Sequence, residues 1–277
     1  MSIIDPGKTV RRAENIEDLI NAIRRLHERP FTENEFGEAL LRAKIQRKRQ
    51  KNAKTRSIGK STLSDYFWLA RESGLIRRTD GFEEVPALVV ESIVGKPEHV
   101  VKKYLAELLA TKLPAVQEFV KFLQEKPRTE KELKEKFNPQ TTGVIIAWLE
   151  YCEAVQQSFE GKYYWTLTPE SQMTTEDFWT KLQRAYESLR NTQLVGVKAV
   201  YVKIPDLREA FCTSYPMSRK SFDDHLARLL SDRRFRQKIE VTGAPISFID
   251  DEQHLKRKRG IPFTYEGRVF YFIAIRP

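Results

Sequence analysis

The chain has 277 residues, 40% of them apolar, 31% charged and 11% aromatic, with a formal net charge of +10 at pH 7. This is the composition of a globular protein and not of a disordered one, and the length suits two or three domains. No apolar run reaches the roughly 18 residues that span a bilayer. The opening stretch MSIIDPGKTVRRAENIEDL lacks the apolar core of a secretory leader, so a cytoplasmic protein without a membrane partner is expected, nucleoid-associated in a prokaryote. Cys152 and Cys212 are read as buried, reduced thiols, with a single disulfide left open.

Along the chain, one plan of helices followed by a strand pair recurs three times. Ile16, Leu19, Ile20, Ile23 and Leu26 recur at helical spacing and define a first helix that Pro30 ends. Thr32 caps a second helix, with Glu33 and Glu35 in its first turn. A third helix is expected over 61–73, closed by Gly74, and Asp80-Gly81 marks a hairpin between 75–78 and 82–85. Residues 87–112 read as linking helices interrupted near Gly95-Lys96-Pro97. The second set starts near Leu113. Pro127 stops its first helix, Thr129 with Glu132 forms a capping box, and Asn138 or Thr141 starts a helix bearing Val144, Ile145, Trp148 and Leu149. Strands 157–159 and 163–167 follow. The third set has a helix over 175–189, a strand over 200–204, a short helix over 205–212 with Pro205 in its first turn, and a helix over 218–231 capped by Ser218. Strands 238–241 and 268–275 close it, separated by a long segment over 242–267.

The charge is not spread evenly. Residues 42–60, RAKIQRKRQKNAKTRSIGK, contain nine lysines and arginines and no acidic residue, so +10 falls to +1 without them. Such a block beside a helix start points to a polyanion, and first to nucleic acid. Like charges this dense repel one another when free, and counterions released on binding phosphates favour association. The segment holds no aromatic residue on which unpaired bases could stack, which favours a duplex over a single strand.

Other chemistries find little footing. Gly59-Lys60-Ser61-Thr62 lacks the glycine that a phosphate-binding P-loop needs five residues before Gly59, where Lys54 stands. His27, His99, His225 and His254 show no zinc spacing, and Asp223-Asp224-His225 reads as a solvated helix surface. No serine sits in a nucleophile elbow. No metal, cofactor, small-molecule substrate or catalytic residue is expected, and the chain is read as a non-enzyme.

The plan of helices and hairpins, with Ile58-Gly59-Lys60-Ser61-Thr62-Leu63-Ser64 followed by Gly74-Leu75-Ile76-Arg77, resembles the winged helix-turn-helix family. Ser218-Arg219-Lys220-Ser221-Phe222 has the same character. The resemblance implies a mainly α fold with small β-hairpins (α+β), built as tandem winged helix-turn-helix domains. The expected domains are 1–86 with the basic insertion 42–60 at the joint of its second and third helices, a helical linker over 87–112, a winged-helix-like domain over 113–170, and a domain over 171–277 with a long basic wing. Leu63, Phe67 and Ala70 should face inward, as should Phe222, Leu226 and Leu229, leaving Arg219 and Lys220 outward.

A double-stranded DNA-binding protein is therefore expected, sequence-specific or not, serving regulation, DNA maintenance or defence. Its contacts would be Lys44, Arg47, Lys48, Arg49, Lys51, Lys54 and Arg56 in the arm, and Lys60, Ser61, Thr62 and Ser64 at the helix start. Arg219 and Lys220 would serve in the third set, and Lys256, Arg257, Lys258 and Arg259 in its wing. The alternative is a scaffold subunit of a nucleoprotein complex. Its winged helices would bind protein partners, through the middle domain and a Tyr66/Trp68 surface, and the arm would add non-specific affinity for DNA or RNA.

Overall fold

The computed structural model describes residues 13–50, 60–168, 173–192, 201–243 and 261–276, with the backbone alone at 13–15, 47–50, 60, 61 and 192. The fold is mainly helical with small antiparallel sheets, and the chain divides into two compact units, Met1–Val155 and Gln156–Pro277.

In the first unit, α1 (Ala13–Leu26) buries Ile16, Leu19, Ile20 and Ile23 along one face. α2 (Glu33–Gln50) starts in a full capping box. The Glu35 N–H donates to Thr32 Oγ1 at 3.3 Å, and the Thr32 N–H donates back to the Glu35 carboxylate at 2.8 Å. α3 (Lys60–Glu72) crosses α2 where Gly37 has no side chain, since a Cβ there would lie 3.0 Å from Leu63. Three aromatic rings lock these helices: Phe31 stacks on Phe36, which meets Phe67 edge-on at 5.2 Å. Gly74 ends α3 with φ +75°, as a C-cap glycine does.

β1 (Arg77–Thr79) and β2 (Phe82–Glu84) then pair antiparallel across Asp80 and Gly81, whose φ values of 50° and 88° are those of a type I′ hairpin turn. β2 has a second neighbour. Phe31 and Glu83 exchange backbone hydrogen bonds of 2.8 Å each, so β2 lies between Phe31 and β1. The Glu83 side chain points inward, is nearly inaccessible, and takes an ion pair from Arg71 of α3. The Arg71 guanidinium also lies 4.4 Å from the centroid of the Phe67 ring.

α4 (Ala87–Ile93) and α5 (Glu98–Lys112) are separated by Gly95 with φ +67°, in line with the interruption read from the sequence. α6 (Pro114–Glu125), β3 (Arg128–Thr129), α7 (Glu130–Phe137) and α8 (Pro139–Tyr151) follow. Thr129 and Glu132 form the expected capping box, and Asn138, at φ 61°, caps α8 by accepting from the Thr141 N–H at 2.9 Å. α8 packs against α1 and α5 through a face that includes Val144, Ile145, Trp148 and Leu149.

β4 (Val155–Gln157) and β5 (Lys162–Trp165) stand at the start of the second unit. Its core gathers on α9 (Thr175–Thr192), α10 (Ile204–Ser214) and α11 (Arg219–Ser231), with Phe178, Phe211 and Phe222 in mutual ring contact. Ser218 caps α11 as expected, accepting from the Ser221 N–H at 3.0 Å. The short α12 (Arg233–Arg236) leads into the sheet. There β6 (Val202–Lys203) and β7 (Ile239–Thr242) flank β10 (Phe272–Ile275), both antiparallel to it.

The continuous strand expected over 268–275 is two strands. β9 (Arg268–Phe270) pairs with β8 (Phe263–Tyr265) in a separate hairpin, and β10 joins the sheet. The break falls at Tyr271, whose N–H donates to Thr242 and whose carbonyl accepts from Ile204, so the chain changes partners there.

Glu83→Ala removes the carboxylate that joins α3 to β2. The expected result is a loss of stability smaller than the ~3–5 kcal/mol of a fully buried pair, because the Arg71 left behind is 41% exposed and can be solvated, read as a lower urea midpoint with unchanged slope.

Candidate nucleic-acid interface

The first half of the basic segment is not an insertion between two helices but the continuation of the second. Residues 42–50 belong to α2, because LRAKIQRKRQ contains only residues compatible with a helix and neither glycine nor proline. Arg47, Lys48 and Arg49 occupy its last turns. Lys51, Lys54 and Arg56 lie outside the described residues. Lys60 and Ser61 form the first turn of α3, where Thr62 is half-buried and Ser64 exposed.

The described side chains of this segment are held from both sides. Arg42 lies 3.7 Å from Glu38 one turn earlier, and the Lys44 ammonium sits 4.8 Å from the centroid of the Tyr66 ring. On the adjoining helix, Arg25 at the end of α1 donates to Gln46 at 2.7 Å, which brings a further cation beside the arm. The sequence pattern did not single out Arg25, since only the α1–α2 packing brings it there.

A Tyr66/Trp68 surface does not form as one patch. Tyr66 is fully buried, as is Leu69, and Phe67 and Ala70 are buried as expected. Leu63 is half-buried, tucked against Gly37. Trp68 alone of the pair is exposed, on the same face of α3 as Ser64 and Arg71.

Arg219 departs most from its expected outward placement. Its guanidinium forms an ion pair with Glu209 of α10 at 2.9 Å and donates to the Gln157 carbonyl at 2.6 Å, while its N–H donates to the Gln156 side chain at 3.1 Å. Glu209 is 4% exposed and also accepts from the Phe159 N–H at 2.9 Å. An arginine held this way is turned toward the fold, with Nε and Nη2 both engaged by protein acceptors. Lys220, the next residue, is exposed. Lys256, Arg257, Lys258 and Arg259 lie outside the described residues.

The neighbouring residue of α10 makes the mirror-image contact. Arg208, 2% exposed, donates from Nε to Asp223 of α11 at 2.8 Å and from Nη1 to the Ile261 carbonyl at 2.7 Å. Asp223 is therefore half-buried in an ion pair, Asp224 is exposed as a solvated helix surface would have it, and His225 is buried and stacked on Phe178 at 4.9 Å. Burial pushes the Asp223 carboxyl up to about 6, against the pull of Arg208. Burial also raises both thiols, Cys152 to about 12 and Cys212 higher still; both are free and neither is poised as a nucleophile.

Among the described residues, no group of three or more His, Cys, Asp or Glu side chains is placed to hold a metal ion. No helix among them is long and apolar enough to cross a membrane. Comparison of the chain with protein-family models, with curated proteins and with solved structures finds no match.

Two outcomes follow from the paired helices. Arg219→Ala strands the buried Glu209 carboxylate and should cost about 3–5 kcal/mol in chemical denaturation, where a solvent-facing cation would cost almost nothing. For Asp223, the carboxyl rises on folding from 3.8 to about 6, so folding favours the protonated form. Its contribution is greatest below pH 4 and is lost as pH rises to about 6. The stability of Asp223→Asn relative to wild type should therefore climb across that window and level off above it, measured by denaturant titration at each pH.

Proposed function

We propose that this chain is a double-stranded DNA-binding protein that grips the phosphate backbone with the cationic end of α2 and the start of α3. The observation that carries the reading is the concentration of nine cations in residues 42–60, of which the first five ride on one continuous helix. At 1.5 Å per residue, the 18 residues of α2 make a rod of about 27 Å, able to set its cations at fixed spacing along a backbone. Cations at fixed spacing lose less freedom on binding than the same charges on a loose tail. Glu38, just before the segment, pairs with Arg42.

The tandem winged-helix reading draws support from chain order. Helix, strand, helix, helix, strand, strand recurs as α1, Phe31, α2, α3, β1, β2; as α6, β3, α7, α8, β4, β5; and as α9, β6, α10, α11, β7, β10. In the first and third series the final strand lies between the other two, giving Phe31–β2–β1 and β6–β10–β7. In this reading α3 is the recognition helix, with Ser64 on its exposed face. Arg219 takes no part, and Lys220 is the remaining cation at the start of α11. The scaffold alternative draws on Trp68, an exposed indole on the face of α3 that would otherwise meet DNA.

The test is duplex binding by the full chain over a range of salt. Replacing the nine cations of residues 42–60 with glutamine should flatten the log–log slope by roughly 0.9 for each phosphate that the arm no longer neutralises. An unchanged slope would remove the arm from the interface. Equal affinity for every duplex, with Trp68→Ala releasing a protein partner, would favour the scaffold.

A further inference from the structure

In the second unit Arg219 is committed to the fold, yet the unit carries another cationic run, Arg233-Arg234-Phe235-Arg236-Gln237-Lys238. The structure sorts these residues into two groups. Phe235 is buried and packs on Trp179 at 5.4 Å, which pins α12 to the core. Asp232 caps the helix, accepting from the Arg234 N–H at 2.9 Å. The Arg234 guanidinium is then claimed twice, by Asp232 at 2.6 Å and by Glu176 of α9 at 2.9 Å. Arg233, Arg236 and Lys238 differ from it. All three are exposed, and among the described residues none has a carboxylate within ion-pair distance. Arg233 and Arg236 are one turn apart, on the side of α12 away from Phe235. The backbone at Lys238 is fixed, its carbonyl accepting from the Arg276 N–H at 2.8 Å.

Three like charges thus stand at neighbouring exposed positions on and just after an anchored helix, facing water. A polyanion relieves their mutual repulsion. The one large apolar side chain of α12, Phe235, is turned into the core, so the patch lacks the apolar residues with which a peripheral protein enters a lipid surface. We infer that Arg233, Arg236 and Lys238 form a second phosphate-contacting surface for duplex DNA, carried by the second unit. This rests on the DNA-binding reading above and adds to it a contact independent of the basic arm.

The full-length chain and the triple variant Arg233→Gln, Arg236→Gln, Lys238→Gln are titrated with a mixed-sequence duplex at several salt concentrations. The triple variant should bind at least about tenfold more weakly at moderate salt, with a log–log slope reduced by roughly 2–3, near 0.9 per phosphate. Arg236→Gln alone should take about one third of that change. Arg234→Gln, which removes the same charge from a guanidinium already held by two carboxylates, should leave the slope as it was. The exposed positions predict an unchanged melting temperature for the triple variant. If the wild-type chain binds duplex and the triple variant keeps its affinity and slope, the second surface is refuted while the arm stands. Binding of the wild type to anionic vesicles, lost in the triple variant while duplex binding is kept, overturns it equally. A wild-type chain that binds no duplex at all refutes both readings.

Discussion

A buried carboxylate needs a cation, and in this chain that need decides which arginines remain for a ligand. Glu83 on β2 holds Arg71 of α3, and Glu209 on α10 holds Arg219 of α11. In each unit a helix is fastened to its neighbour by a charge that cannot be left alone without a desolvation penalty of several kcal/mol. Arg208 and Asp223 repeat the bond beside the second of these with the signs exchanged. Two adjacent pairs of opposite sense resist sliding as well as separation, since any shift of α10 along α11 would bring like charges together. Among the described residues, Lys220 and the outer side of α12 present cations that no buried acid has claimed.

The apolar packing works to the same end. Short sheets of two or three strands bury little surface, so the helices supply the cores, and aromatic triads sit where three helices or a helix and a strand converge. Rings in edge-on contact fix relative orientation more firmly than aliphatic side chains of equal area. The aromatic contacts at Phe36 and Phe67 set the direction in which α2 leaves the core.

What could be read directly from the chain were features written in neighbouring residues. The threonine cap at Thr32, the capping box at Thr129, the serine cap at Ser218, the Asp80-Gly81 turn and the glycine stop at Gly74 each involve chemistry within a few positions, and each stands where it was expected. The features that escaped depend on partners far along the chain. Arg219 and Lys220 are both cations at one helix start; Glu209, ten residues earlier on another helix, draws in the first and leaves the second exposed. Tyr66 looks amphipathic in isolation and is fully buried in the fold, with the Lys44 ammonium over its ring. The strand over 268–275 has the composition of one strand and is divided by a change of pairing partner at Tyr271. A run of nine cations reads as an insertion until it is seen that nothing in 42–50 stops a helix.

The absence of a side chain at Gly37 has a mechanical meaning. It lets α3 approach α2 so closely that Leu63 rests almost on the backbone, and this contact acts as the fulcrum of a lever. Beyond it α2 runs on to Gln50, about 20 Å at the rise of an α-helix. A tilt of about 5° at the fulcrum would swing the far end by nearly 2 Å, comparable to the rise per phosphate charge along a duplex. One half-buried glycine at a helix crossing thereby bears on the aim of charges several turns away.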